Sequence, residues 1–309
     1  AMKNRAAAAV YEMGSTFKVF TVAMGLDTGA ASLTSTFDAT APMKIGSRAI
    51  RDFHAENREM TLEDVFIHSS NIGTSRLALA MGEDAMARYF GALGLLAPAE
   101  VELVESARPI VPRRWNADTI ASASFGHAIS VTPLQLAAAM GAVLNGGEYV
   151  PLTIRKLKPG EAPKGKRVVS PATSRAMLDL MRLNVVRGTG SKANAPGLRV
   201  GGKTGSAEKV IGGRYDRSRL VSSFAAVFPT DGPIDGRRYF VLILMDEPKG
   251  NAETFGLRTG GWTTAPVAGR VIDRIAPFLG VERAADPYFT AVGDRVPLEE
   301  TQSGGGLGQ

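Results

Sequence analysis

The chain has 309 residues, 44% of them apolar and 21% charged, with a formal net charge of +6 and no cysteine. This composition excludes a wholly disordered chain, and no apolar run approaches the roughly eighteen residues that a membrane-spanning helix requires. The missing cysteines remove disulfides, thiolate metal sites and cysteine nucleophiles together.

In chain order, the first strong signal is helical, from Ser15 to Leu26, with Phe17, Phe20, Ala23 and Met24 on it and Asp27-Thr28-Gly29 as its stop. Residues 30–60 read as polar and irregular. Thr61-Leu-Glu-Asp opens a helix with a capping box. Ser69-Ser70-Asn71 ends that helix or forms a loop, and helical runs follow over Thr74–Met81 and Glu83–Leu95. Pro109 and Pro112 make residues 108–115 a loop. Thr132-Pro133 starts a helix that ends at Asn145-Gly146-Gly147, and Ser170-Pro171 starts another that stops at Gly188.

The period then changes. Residues 198–203, 220–228 and 239–245 read as strands, with turns at Gly212-Gly213 and Thr230–Pro233, and Thr264–Leu279 closes as an amphipathic helix. The order predicts an α+β domain over residues 1–302, with a helical lobe over about 30–150, a sheet lobe in the remainder, and a mobile glycine-rich tail over 303–309.

Three short motifs carry the chemistry. Ser15 and Lys18 lie on one face of the first helical turn, so the amine can reach the hydroxyl, and the positive end of the helix dipole favours a developing oxyanion there. By itself a Ser-x-x-Lys tetrad is weak: about one is expected by chance, and Ser206-Ala-Glu-Lys209 is a second. Ser69-Ser70-Asn71 and Lys203-Thr204-Gly205 follow it in order, and that ordered set is the mark of the acyl-serine enzymes that recognise penicillin. A rival motif overlaps the third. Gly197 to Thr204 fits the P-loop expression letter for letter, but a P-loop needs a buried strand before it and a helix directly after it. Lys192–Pro196 is polar, and Gly205, Gly212 and Gly213 deny the helix.

The basic run from Arg155 to Arg167 is interrupted by turn formers and reads as a solvated loop, not a nucleic-acid patch. His54, His68 and His127 lack the spacing of a metal pair, so no metal or cofactor is expected.

With these motifs placed, the chain resembles the transpeptidase domain of class B penicillin-binding proteins. The likeness rests on Tyr11-Glu-x-Gly-Ser-Thr-x-Lys, Arg51-Asp52 followed by His54, Ser69-Ser-Asn-Ile-Gly, Ser124-Phe-Gly, Ser130-Val-Thr-Pro-Leu-Gln-Leu, Lys203-Thr-Gly-Ser-Ala-Glu-Lys and Asp246-Glu-Pro-Lys-Gly. The last of these is more like the division-specific, septal branch. Met13 stands where proline is usual in the family.

The resemblance implies the penicillin-binding/β-lactamase-like fold, an antiparallel sheet flanked by helices plus an all-helical lobe. It implies D,D-transpeptidation through a Ser15 acyl-enzyme, with Lys18 as base. Ser69 and Asn71 would relay the proton and hold the substrate amide. Lys203 would act in the catalytic group and, with Thr204, Gly205 and Ser206, receive the substrate's terminal carboxylate. The amides of Ser15 and Ser206 would form the oxyanion hole, and Glu208 and Lys209 would be loop residues. Implied partners are peptidoglycan stem peptides, β-lactams and division-complex membrane proteins that include a glycan polymerase. The implied location is the periplasmic face of the inner membrane, held by an anchor outside this chain. The family's sheet also has two strands and a helix before the nucleophile, whereas fourteen residues precede Ser15, so those strands are expected to be missing here.

Two rivals share the fold. Class D β-lactamases also carry Ser-Thr-Phe-Lys, but resemble Ser-x-Val at the second motif, where this chain has Asn71. Class A enzymes need a Glu-x-x-x-Asn loop, and Asn116 and Asn145 are preceded four residues earlier by Pro112 and Gly141. A β-lactam sensor domain that acylates once is the remaining alternative.

Overall fold

The computed structural model describes residues 3–289 except 47, 159 and 162, so the tail from Ser303 lies outside the described residues. The molecule is built around a buried helix. After a single turn α1 (Arg5–Ala8), a 3₁₀ turn over Gly14–Phe17 runs directly into α2 (Lys18–Asp27), which is buried from Lys18 to Gly25. A helix with apolar residues on every side belongs inside a domain. Here Phe17 packs edge-on against Phe20 and Phe90 with ring centroids 5.3 and 5.7 Å apart.

Around α2 stand α3 (Leu62–Ile67), α4 (Asn71–Ala92), α5 (Ala117–Ala123), α6 (Pro133–Leu144) and α7 (Pro171–Arg187). Their starts follow side-chain caps: Thr61, Ser70, Asn116, Thr132 and Ser170 each accept from an amide three residues on. Thr132 and Gln135 form a reciprocal capping box. Gly82, at φ +82°, breaks α4 where the sequence separates two helical runs.

The segment expected to be irregular is not. Residues 30–61 contain β1 (Thr36–Asp38), β2 (Met43–Ile45), β3 (Arg48–Ile50) and β4 (Glu59–Thr61), in the antiparallel pairs β1–β4 and β2–β3, so the lobe is not wholly helical. Three-residue strands are too short to show alternation in sequence. A similar short pair, β5 (Glu148–Tyr149) with β6 (Lys166–Arg167), lies at the end of the basic run.

The main sheet is antiparallel, in the order β7 (Gly201–Ile211), β8 (Arg214–Phe228), β9 (Tyr239–Asp246). Helix α8 (Thr264–Ile275) covers one face through Ala265, Ala268 and Ile272, against Phe224 and Phe228. β7 runs eight residues beyond its expected end. Glu208 and Lys209, expected in a loop, are strand residues, and Lys209 pairs with Asp246 at 2.9 Å and Glu247 at 2.7 Å. The β7–β8 ladder shifts register between Glu208 and Lys209, so three residues of β8 bulge out and the hairpin tip is set apart from the flat sheet.

Candidate active site

Ser15 is half-buried inside the 3₁₀ turn, and Lys18 is the residue that ends that turn and begins α2. A 3₁₀ turn eclipses positions three apart, which aligns Ser15 and Lys18. Thr16 Oγ1 donates to Met13 O at 3.0 Å and fixes the approach. Gly14, at φ +54°, has no room for a side chain: a Cβ there would lie 2.9 Å from Ser206 O and 3.2 Å from Ser206 N. The backbone before Ser15 therefore rests on the backbone of β7 at Ser206. This close approach brings the amides of Ser15 and Ser206 to one place.

Four polar side chains of the three motifs meet in one cluster. Lys18 Nζ lies 3.1 Å from Ser69 Oγ and 2.8 Å from Asn71 Oδ1, and it donates to Ser69 O. Lys203 Nζ donates to Ser69 Oγ at 2.8 Å. Both amines are fully buried. Burial and then the charge of Lys203 hold Lys18 well below the usual lysine range, against a weaker opposing pull from Asp52. Burial alone pushes Lys203 down to about 7. The two ammonium groups repel one another, so the pair favours a single charge, and Lys18, held the lower, fits the neutral member. A neutral Lys18 can donate to Ser69 O and Asn71 Oδ1 and accept from the Ser69 hydroxyl, while charged Lys203 donates to the same oxygen. Among the described residues, Ser15 Oγ makes no hydrogen bond, so it is unengaged in this resting arrangement.

A carboxylate that sequence reasoning quoted without a role organises the second motif. Asp52 Oδ1 accepts from the amides of Asn71 at 2.6 Å and Ile72 at 3.0 Å, and Oδ2 accepts from Ser70 Oγ at 2.7 Å. It sits at the N-terminus of α4, where negative charge is favoured. Ser69 is held at φ +60°, a conformation uncommon outside glycine, and so turns its hydroxyl between the two lysines. Asn71 Nδ2 is tied to Arg51 O at 2.9 Å, which aims its oxygen at Lys18.

The third motif lies on β7, so the phosphate-cradling reading of Gly197–Thr204 fails on the strand that occupies the place a helix would need. Thr204 Oγ1 is 2.7 Å from Thr189 Oγ1, which is steadied by the buried Asn184, 3.2 Å away. Gly205 lies between Thr204 and Ser206 on the same strand. Ser206 Oγ accepts from Gly260 N at 2.9 Å, which leaves its own proton free to donate outward. Thr189, Asn184 and Gly260 carried no signal in the sequence, because Thr189 and Gly260 reach motif residues, and Asn184 reaches Thr189, through contacts made only by the fold. Of the eight residues singled out from sequence, Lys18, Ser69, Asn71 and Lys203 share one hydrogen-bonded cluster, Lys203, Thr204, Gly205 and Ser206 follow one another on β7, and Ser15 is tied to that strand through Gly14, which rests on Ser206. This arrangement can supply a serine oxygen, a neutral amine, a hydroxyl bridging two amines, and amides for an oxyanion.

Comparison with known proteins shows the family. A model of the penicillin binding protein transpeptidase domain matches residues 1–273. The chain is 62% identical over 288 residues to the probable peptidoglycan D,D-transpeptidase FtsI of Caulobacter vibrioides (strain NA1000 / CB15N), a match over 92% of this chain and 49% of that protein. It is 32% identical over 299 residues to the peptidoglycan D,D-transpeptidase FtsI of Escherichia coli (strain K12), covering 96% of this chain and 48% of that one. The apo TP domain of Burkholderia pseudomallei penicillin-binding protein 3 superposes with a TM-score of 0.82 at 30% identity, over 92% of this chain and 84% of that chain. The chain spans about half the length of the curated relatives it matches. Sequence, fold and the extent of these matches agree, and the chain belongs to the penicillin binding protein transpeptidase domain family.

Proposed function

We propose that this domain is a peptidoglycan D,D-transpeptidase of the division-specific type, which joins stem peptides through an acyl-Ser15 intermediate and is acylated there by β-lactams. The observation that carries the reading is the pair of buried lysines, one from the helix that Ser15 precedes and one from β7, meeting at Ser69 Oγ. Substrate binding brings the Ser15 hydroxyl within reach of Lys18. Ser15 Oγ then attacks the carbonyl of the penultimate D-alanine and passes its proton to Lys18. The tetrahedral oxyanion lies between the amides of Ser15 and Ser206. The proton moves through Ser69 to the departing D-alanine amine, and the C–N bond breaks. Lys203 and the hydroxyls of Thr204 and Ser206 hold the terminal carboxylate, while Asn71 orients the substrate amide. An acceptor amine then runs the relay in reverse.

The partners that fit this role are stem peptides, β-lactams and membrane proteins of the division complex, a glycan polymerase among them. The location that fits is the periplasmic face of the inner membrane. Within the domain, the helical lobe over about 30–150 and the sheet lobe enclose the cleft.

Transfer is separated from hydrolysis and from sensing by the fate of the adduct. The penicilloyl-enzyme is expected to persist for hours, and a D-alanyl thioester donor with an added amine is expected to give many equivalents of aminolysis product. Release of hydrolysed penicillin at many turnovers per second would indicate a β-lactamase. A halt after one equivalent of thioester would indicate a sensor.

A further inference from the structure

A buried carboxylate with no part in the steps above stands three residues before the nucleophile. Glu12 is 13% exposed. Its Oε1 accepts from Ala128 N at 2.9 Å and from the Tyr215 hydroxyl at 3.1 Å. Its Oε2 is buried and has no hydrogen-bond partner among the described residues. The one basic side chain within 4 Å of that oxygen among the described residues, His127, lies with Nδ1 3.8 Å away. His127 is driven down to about 4, by burial first and then by Lys18 and Arg48, so it supplies no positive charge near neutrality. Arg48 acts on Glu12 only at a distance, since its guanidinium is engaged by Asp118 at 3.0 Å. Burial raises Glu12 to about 7, against the opposing effects of the Ala128 amide, the Tyr215 hydroxyl and Arg48.

A desolvated carboxylate with an unsatisfied oxygen and no contacting cation is costly, and the cost is relieved when a cation arrives. The tip of the β7–β8 hairpin covers it. Tyr215, 38% exposed, lies on that tip and packs against His127 in a tilted arrangement with ring centroids 5.3 Å apart. The register shift after Glu208 lies between the Val210–Tyr215 pair and the stretch Lys203 to Ser206, so a rotation of the Tyr215 side chain leaves that stretch in place. From this geometry we infer that Glu12 is a specificity-determining residue that receives an ammonium group of the peptide substrate once Tyr215 moves aside.

This rests on the transpeptidase reading given above. The ammonium can belong to the donor's side chain or to the acceptor amine, and two arms of one experiment separate them. In the donor arm, acylation is timed with two D-alanyl thioesters that carry a lysyl or an N-acetyl-lysyl residue. In the acceptor arm, partition of the acyl-enzyme is measured between water and either a primary amine that is an ammonium at pH 7.5 or hydroxylamine, which is neutral there. The wild-type protein is expected to favour the cationic partner in one arm by about tenfold, less so in high salt. Glu12→Gln, which retains both bonds to Oε1, is expected to remove that preference while the neutral partner reacts as before, and Glu12→Asp to restore part of it. Equal loss for cationic and neutral partners would mean a structural role and overturn the inference. So would a wild-type protein with no charge preference in either arm, or a Glu12→Gln variant changed only in adduct hydrolysis. A wild-type protein that acylates with charge preference but never transfers would instead defeat the transpeptidase reading and leave Glu12 as a donor-side contact.

Discussion

Replacing Lys18 by alanine is expected to slow β-lactam acylation of Ser15 by about a hundredfold to ten-thousandfold, the span usual for loss of a general base. The fold should survive, because the variant removes a buried amine that costs stability and leaves Ser69 bonded to Lys203. Stopped-flow acylation rates together with a melting curve check this. An acylation rate equal to wild type would assign the base elsewhere. The wild-type pH profile follows from the same two amines. Lys18 is pushed down and acts in its neutral form, so acylation falls on the acid side as Lys18 takes up its proton. Lys203, at about 7, loses its charge above that value, so affinity for donors with a carboxylate falls on the alkaline side. The profile is therefore bell-shaped, and in Lys18→Ala the acid limb should vanish while the alkaline limb remains.

A second large effect is expected at a position remote from proton transfer. Gly126 is at φ +80°, and a Cβ there would lie 2.2 Å from Gly14 O. Backbone cannot rotate away as a side chain can, so Gly126→Ala must displace either the Ser124–Ala128 loop or the turn that holds Ser15. Positive-φ strain and overpacking each contribute about 1–3 kcal/mol, giving a destabilisation of about 2–6 kcal/mol. Thermal unfolding followed by circular dichroism reads it. Acylation should fall as well, because Gly14 fixes the meeting of Ser15 with Ser206. An unchanged melting temperature with unchanged acylation would contradict this packing.

The parts legible in the sequence are those encoded locally. Helix starts were visible because Thr61, Thr132 and Ser170 cap amides three residues away, and Ser15 with Lys18 because one turn sets their spacing. Other parts depend on contacts between distant segments. Asp52 organises Asn71 through amides nineteen and twenty residues along the chain, so the Arg51-Asp52 likeness marks the residue while its role depends on a contact made only in the fold. Glu12 meets Ala128 and Tyr215 across 116 and 203 residues. The extension of β7 through Glu208 and Lys209 was hidden because charged residues followed by two glycines read as a loop, whereas the ladder to β8 and the pairing with Asp246 and Glu247 keep them extended.

The central claim is that Ser15 is the nucleophile of this cleft, and intact mass after incubation with a penicillin tests it most directly. One adduct per chain is expected, mapping to the peptide that contains Ser15 and absent from Ser15→Ala. An adduct that persists in Ser15→Ala, or that maps to Ser69 or Ser206, would contradict the account.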